Sequence, residues 1–326
     1  MESKVYFTKE LEKLAALVED LAKSFKEREV AIKLHFGEAY PTYHIRPEIA
    51  KVIVDKLKEL GFKPFLFDTN VAYSRGGRQN TEGHIKTAKA NGFDFCEIRI
   101  GEEGEIVKTK GKLKEVEISK DLVEVPNMIV LSHFKGHWCA SFGGAIKNLG
   151  MGAAMKNEKK REHTIGKPKF SEENCTGCGT CAELCPTSAI KLNEKATVDY
   201  SKCIGCGVCV RYCPNNALTS ENYVTNMLVE VTSGVLSTFN PENIFYINVL
   251  EKISKLCDCN PRSEIICPDI GILASKDIVA IEKASVDLIN EKVGKNLFKD
   301  VNRIDPMEQI TAAQELGLGS KEYEIV

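Results

Sequence analysis

The chain has 326 residues, 43% apolar and 28% charged, with a formal net charge of −2. That length suits two domains and one sizeable core, and the composition is that of a water-soluble globular protein. The balanced charge argues against nucleic acid or an anionic membrane as a partner.

The first residues, MESKVYFTKELEKLAAL, lack an apolar segment followed by a small-residue cleavage site. No apolar run reaches the roughly 18 residues that would span a membrane. With 13 cysteines and no export signal, the expected compartment is a reducing cytoplasm.

Apolar residues at helical spacing over 8–27 (Leu11, Leu14, Leu17, Val18, Leu21, Phe25) predict a helix. Residues 29–36 read as a strand. Residues 47–60 open on Pro47 and stop at Gly61, which predicts a helix. Strands are expected at 63–68, 93–100 and 127–132, with helices near 83–91 and 143–149. Cys96, alternating within one of those strands, is expected in the core. The polar, basic stretch 156–169 reads as a solvated tether. Beyond residue 220, helices are expected at 221–236 and 277–293, with strands at 244–250 and 264–267. Alternating strands and helices predict an α/β fold with a largely parallel sheet flanked by helices. The division expected is 1–165 and 221–326 as two parts of one α/β domain, interrupted by a small α+β domain at 170–220.

That interruption carries the most specific signal. Residues 175–186 read CTGCGTCAELCP and residues 203–214 read CIGCGVCVRYCP. Both are C-x2-C-x2-C-x3-C-P, the ligand run of bacterial [4Fe–4S] clusters, in which the fourth cysteine serves the other cluster. Cys175, Cys178, Cys181 and Cys213 are assigned to one cluster, and Cys203, Cys206, Cys209 and Cys185 to the second. Gly177, Gly179, Gly205 and Gly207 let the backbone curl so that amides face sulfur. Zinc sites use separate CxxC pairs rather than four ligands in one short run. The repeat marks an internal duplication, and residues 170–220 resemble the two-cluster bacterial ferredoxins. Two [4Fe–4S] clusters are the cofactors expected.

A second site is expected in LSHFKGHWCASFGGAIKNLGMG, residues 131–152, which follows a strand. Ligands of α/β proteins bind at the carboxyl ends of parallel strands. His133, His137 and Lys147 are the candidate catalytic groups. His35, Arg78, His84, Lys135 and Asn148 are candidate ligand-cleft residues, with Glu38, Asp68 and Arg75 on the same loops. The glycines suggest an anion nest near Gly144. No P-loop and no GxGxxG turn occurs. Cys139, Cys257, Cys259 and Cys267, with His133 and His137, leave open a further metal site. Trp138 is placed either over the site or in the core.

The segments SHFKGHWCASFGGAIKNLGMG, DTNVAYSRGGRQNTEGH and CDCN…ICPDIGILASKDIVAIEKASVDL resemble a prokaryotic iron–sulfur-centre protein family whose α/β domain is domain of unknown function three-six-two. Members similar to this chain carry a two-cluster ferredoxin module within that domain. The resemblance implies a cytoplasmic redox protein of anaerobic type and supplies no reaction.

The residues leave three readings open. In the first, an oxidoreductase passes electrons through two clusters to or from a small anionic ligand in the α/β cleft. The second is a non-enzymatic electron carrier or redox scaffold, and the third a metal-handling or maturation protein. A soluble electron donor or acceptor is the expected partner.

Overall fold

Among the described residues the strands join one eight-stranded sheet whose central members are continuous apolar runs, as in parallel strands covered by helices on both faces. The computed structural model describes residues 2–73, 76–261 and 263–326. The sheet strands are β1 (Ser3–Thr8), β2 (Glu29–Lys33), β3 (Lys63–Thr69), β4 (Ile98–Gly101), β5 (Asn127–His133), β6 (Ile244–Leu250), β7 (Gly271–Ser275) and β8 (Tyr323–Ile325). Their spatial order is β8-β1-β7-β6-β5-β2-β3-β4. From β4 to β6 every neighbouring pair is parallel. β7 runs antiparallel to both β6 and β1, and β8 is parallel to β1.

Period two divides each strand between two cores. From β5, Ile129 and Leu131 pack with Ile32, Ile247 and the helices α1 (Leu11–Leu21) and α2 (Pro47–Glu59). Met128 and Val130 face the opposite side, with Phe134, Phe142 and Tyr246. That side is covered by α4 (Ala145–Gly150), α6 (Val224–Leu236), α7 (Ile278–Val293) and α8 (Pro306–Glu315). α3 (Thr81–Ala90) and α5 (Lys156–Ile165) flank the cleft end. α4 lies so close on α6 that a Cβ at Gly150 would stand 2.3 Å from the Leu228 carbonyl oxygen.

Residues 169–219 contribute no strand to this sheet. Lys169–Phe170 pairs antiparallel with Leu218–Thr219, and Ile190–Leu192 with Ala196–Val198. Two short helices, Thr180–Glu183 and Val208–Arg211, complete the segment. β5 and β6, on either side of it in sequence, are neighbours in the sheet.

The segment repeats itself at an offset of 28 positions. Gly177 and Gly179 have φ of +72° and +81°, and their counterparts Gly205 and Gly207 have +66° and +72°. Ser188 and Asn216 both take φ of +51°. The Ala189 amide donates to Cys185 Sγ at 3.2 Å, and the Ala217 amide donates to Cys213 Sγ at the same distance.

Several expectations need correcting. Only Ile98–Gly101 of 93–100 is a strand, so Cys96 lies in a half-buried loop where its thiol donates to the Pro64 carbonyl. The expected tether is α5, whose Glu158, Lys159 and Glu162 are buried. Its polarity misleads because Lys159 is tied to Thr69 and Asn70 on the body. Ile265–Cys267 pairs with Ile253–Ser254 outside the sheet. β1, β7, β8, α8 and the hairpin Gly104–Lys108/Glu115–Ser119 carried no recognised pattern.

Candidate functional site

The eight run cysteines surround two small cavities. One is lined by Cys175, Cys178, Cys181 and Cys213. The other is lined by Cys185, Cys203, Cys206 and Cys209. Each takes three cysteines from one run and the fourth from the other. The first set lies outermost, with Cys178 exposed, while Cys206 and Cys209 are buried. Burial, then the neighbouring cysteines, pushes the Cys209 thiol up to about 12, and burial pushes Cys206 up to about 11. Burial thus disfavours the charged forms of Cys206 and Cys209, and holding them as thiolates would take a bound cationic group.

Among the described residues, no three His, Cys, Asp or Glu side chains converge on a point where one metal ion would sit. The cysteines instead stand around a void, an arrangement suited to a multi-iron group rather than a single ion.

The main cleft, about 290 Å³, opens beyond the carboxyl ends of β2, β3 and β5. Among the described residues, five basic side chains line it (Lys33, Arg78, Lys135, Lys147, Lys159) against two carboxylates, Asp68 and Asp258. Lys33 Nζ donates to Asp68 Oδ1 and to Asn148 Oδ1, both at 2.9 Å. Burial pushes the Asp68 carboxyl up, but Lys33, His84 and Arg78 overcome it and hold Asp68 well below its ordinary value. Burial likewise opposes ionisation of Asp258, and His133 and Lys135 outweigh it. His133 Nδ1 is 2.7 Å from Asp258 Oδ1, and its Nε2 is 2.8 Å from the Glu251 carbonyl. Lys135 Nζ lies 3.1 Å from Asp258 Oδ2.

Lys147 is different. Its ammonium has no hydrogen-bond or ion-pair partner among the described residues, and burial, then the Lys135 charge, lowers it to about 8. Lys159 donates to the neutral oxygens of Thr69 and Asn70 at 2.7 Å, and burial lowers it to about 7. Burial also holds the histidines His35 and His137 well below their ordinary value, so both are neutral proton acceptors near pH 7.

The structure sorts the expected residues by what they touch. His35, Arg78, His133, Lys135, His137, Cys139, Lys147, Asn148, Cys257 and Cys259 all line the cleft, as does Trp138. Both His133 ring nitrogens are engaged, Nδ1 with Asp258 and Nε2 with the Glu251 carbonyl, an arrangement that fixes Asp258. Arg78 is committed to Glu38 at 2.5 Å and Asp68 at 3.2 Å, so it is not open to grip an anion. His84 is buried behind Asp68, with Nε2 3.5 Å from Oδ2. Asn148 clips β2 to β5 by donating to the carbonyls of Lys33 and Leu131.

The anion nest expected beside Gly144 is filled. The Glu282 carboxyl group accepts through Oε1 from the amides of Ala145 and Ile146. Cys267 belongs to the core, and Arg75 lies outside the described residues. HFKGHWC is no helix; Lys135–His137 forms a hairpin with Ser141–Gly143. Sequence reasoning missed Lys33, Lys159, His163 and Asp258. Lys33 closes a strand and faces the ligand end, which was the one available signal.

The cleft and the inner cysteine cavity share a wall. Ile204, between Cys203 and Cys206, lines both. Cys139 and Trp138 of the cleft pack in one apolar cluster with Cys206. His163 Nδ1, on the cleft side, lies 2.9 Å from the Ile204 carbonyl.

Residues 30–287 match the family model described as Domain of unknown function (DUF362). No curated protein matches. Among solved structures, the lactate racemase apoprotein of Thermoanaerobacterium thermosaccharolyticum is similar at 12% identity and a TM-score of 0.41. That match covers 76% of this chain and 51% of the other. A Thermotoga maritima protein is similar at 8% identity and a TM-score of 0.43, covering 94% of this chain and 59% of that one. The chain therefore spans between half and three-fifths of the length of both.

Proposed function

The chain belongs to the family described as Domain of unknown function (DUF362), and we propose that it is an iron–sulfur oxidoreductase that passes electrons through two [4Fe–4S] clusters to or from an anionic ligand in the cleft. The observation that carries this reading is the shared wall at Ile204 between the inner four-cysteine cavity and the cleft. In this reading, residues 169–219 are a ferredoxin-like module. Cys175, Cys178, Cys181 and Cys213 hold the outer cluster, and Cys185, Cys203, Cys206 and Cys209 the inner one. Such clusters supply one-electron transfer at potentials set by burial and by hydrogen bonds to sulfur.

The amides of Ala189 and Ala217 donate such bonds to Cys185 and Cys213. The exposed Cys178 marks the face where a soluble donor or acceptor docks. Ile204, Trp138 and Cys139 separate the inner cavity from the cleft and keep that wall largely apolar. In the cleft, Lys147 pairs with the anionic group of the ligand, and neutral His137 and His35 accept protons. His133 and Lys135 hold Asp258, and through it the loop at 257–260.

An anaerobic reductive titration followed by visible absorbance and electron paramagnetic resonance tests the reading. Two one-electron centres are expected. Cys185→Ser should alter the signal of the inner centre and leave the outer one. A chain whose absorbance does not change on reduction would overturn the proposal.

A further inference from the structure

We propose that Cys257 and Cys259 form a redox-active dithiol–disulfide pair in the cleft, a two-electron centre served by the two clusters. The inference rests on the proposed iron–sulfur reading for its source of electrons and adds a site made by this chain's own side chains.

The two cysteines flank Asp258, and their sulfurs are joined in a disulfide, with Cα atoms 5.3 Å apart. Both residues line the cleft that Ile204 divides from the inner cysteine cavity. Asp258 is fixed by His133 at 2.7 Å and Lys135 at 3.1 Å, so the residue between the cysteines cannot swing away. Tyr40 anchors the same loop by donating to the Cys259 carbonyl at 2.8 Å. The Asn260 side chain donates through Nδ2 to Cys257 Sγ at 3.3 Å, a bond that would stabilise charge on that sulfur. The loop is thus held in place by contacts that do not depend on the disulfide.

A structural purpose for the bond is weak. Disulfides stabilise mainly by closing long loops of the unfolded chain, and this one spans a separation of two residues. What the bond offers here is chemistry at a lysine-rich cleft. The clusters handle electrons singly, whereas a disulfide takes two.

A soluble low-potential one-electron donor, acting twice at the Cys178 face, would supply two electrons by way of the clusters that the eight cysteines would hold, and these would break the Cys257–Cys259 sulfur–sulfur bond. Two protons from the cleft would complete two thiols. The reverse direction returns two electrons and two protons.

The test uses the full chain, purified anaerobically and mildly oxidised with oxidised glutathione. Iron and sulfide are assayed first, and the protein is then titrated with titanium(III) citrate. Alkylation and peptide mass spectrometry follow residues 257 and 259. The expected uptake is about four electron equivalents, two bleaching the clusters and two exposing Cys257 and Cys259 to alkylation. Cys257→Ser should take up about half as many equivalents and keep the same cluster spectrum. Iron present, with the same uptake in both proteins or no change in alkylation, would overturn this inference and leave the iron–sulfur reading standing. Absence of iron would overturn both.

Discussion

The α/β body and the cysteine segment are held together by different means. In the body, every residue of β5 and β6 is buried, and each face of the sheet has an aromatic-rich core. The segment at 169–219 has four buried members in its own core, Ile190, Ala196, Cys209 and Leu218, with other run cysteines packed around them. So few apolar groups cannot offset the entropy of ordering such a stretch. The body folds on hydrophobic burial, whereas on the proposed reading the segment draws its order from the groups its cysteines would bind. The body supplies the cleft, and the segment sets the inner four-cysteine cavity against its wall.

Removing the bound group should break the comparison most visibly. Chelation under anaerobic conditions is expected to strip amide-exchange protection from 169–219 while β2, β5 and β6 keep theirs. Equal loss in both regions would show that the segment's order is not separable from the body's. The converse perturbation is Phe142→Ala. Phe142 stacks on Phe134 with centroids 4.9 Å apart and also meets Phe298. Its loss should cost the body ~3–5 kcal/mol in denaturant melts, with iron content unchanged.

A smaller effect is electrostatic and belongs to the body alone. Burial raises Glu282 from 4.5 to about 8, although the Ala145 and Ile146 amides oppose this. Between those values the folded chain holds a proton that the unfolded chain lacks. Stability from this group is therefore full below pH 4.5 and is lost as pH rises to about 8. The slope is at most about 1.4 kcal/mol per pH unit. Glu282→Gln should flatten that contribution to the body's melt, and an unchanged profile would remove Glu282 from the account.

The smallest effect lies at the seam. An anion held by Lys147 needs the protonated amine, so affinity should be present below about pH 8 and fade above it. With citrate as the probe, calorimetry of Lys147→Ala should show roughly tenfold weaker binding and no such decline. A variant that binds as tightly as the parent would assign the anion to another group.

Sequence and structure agree where one physical signal dominates. The strands at 63–68, 127–132 and 244–250 are long apolar runs, and the structure places strands at Lys63–Thr69, Asn127–His133 and Ile244–Leu250. α2 is legible because Pro47 opens it and Gly61, at φ +84°, ends it. The grouping of the eight cysteines into two sets of four is legible because their spacing is itself the constraint. The cleft is legible only as a region. Arg78 and His133 have the residue types of working groups, but partners distant in sequence, Glu38 and Asp258, engage them. Lys159 hides in a polar stretch that reads as a tether, because one buried face of a charged helix leaves little apolar periodicity. β8 is a three-residue edge strand, visible only once β1 is there to pair with it.

The most direct test of the central claim is the iron and acid-labile sulfide content of the anaerobically purified chain. Two four-cysteine cavities filled by [4Fe–4S] clusters predict about eight iron and eight sulfide per chain. A chain folded over 169–219 that holds neither iron nor sulfide would contradict it.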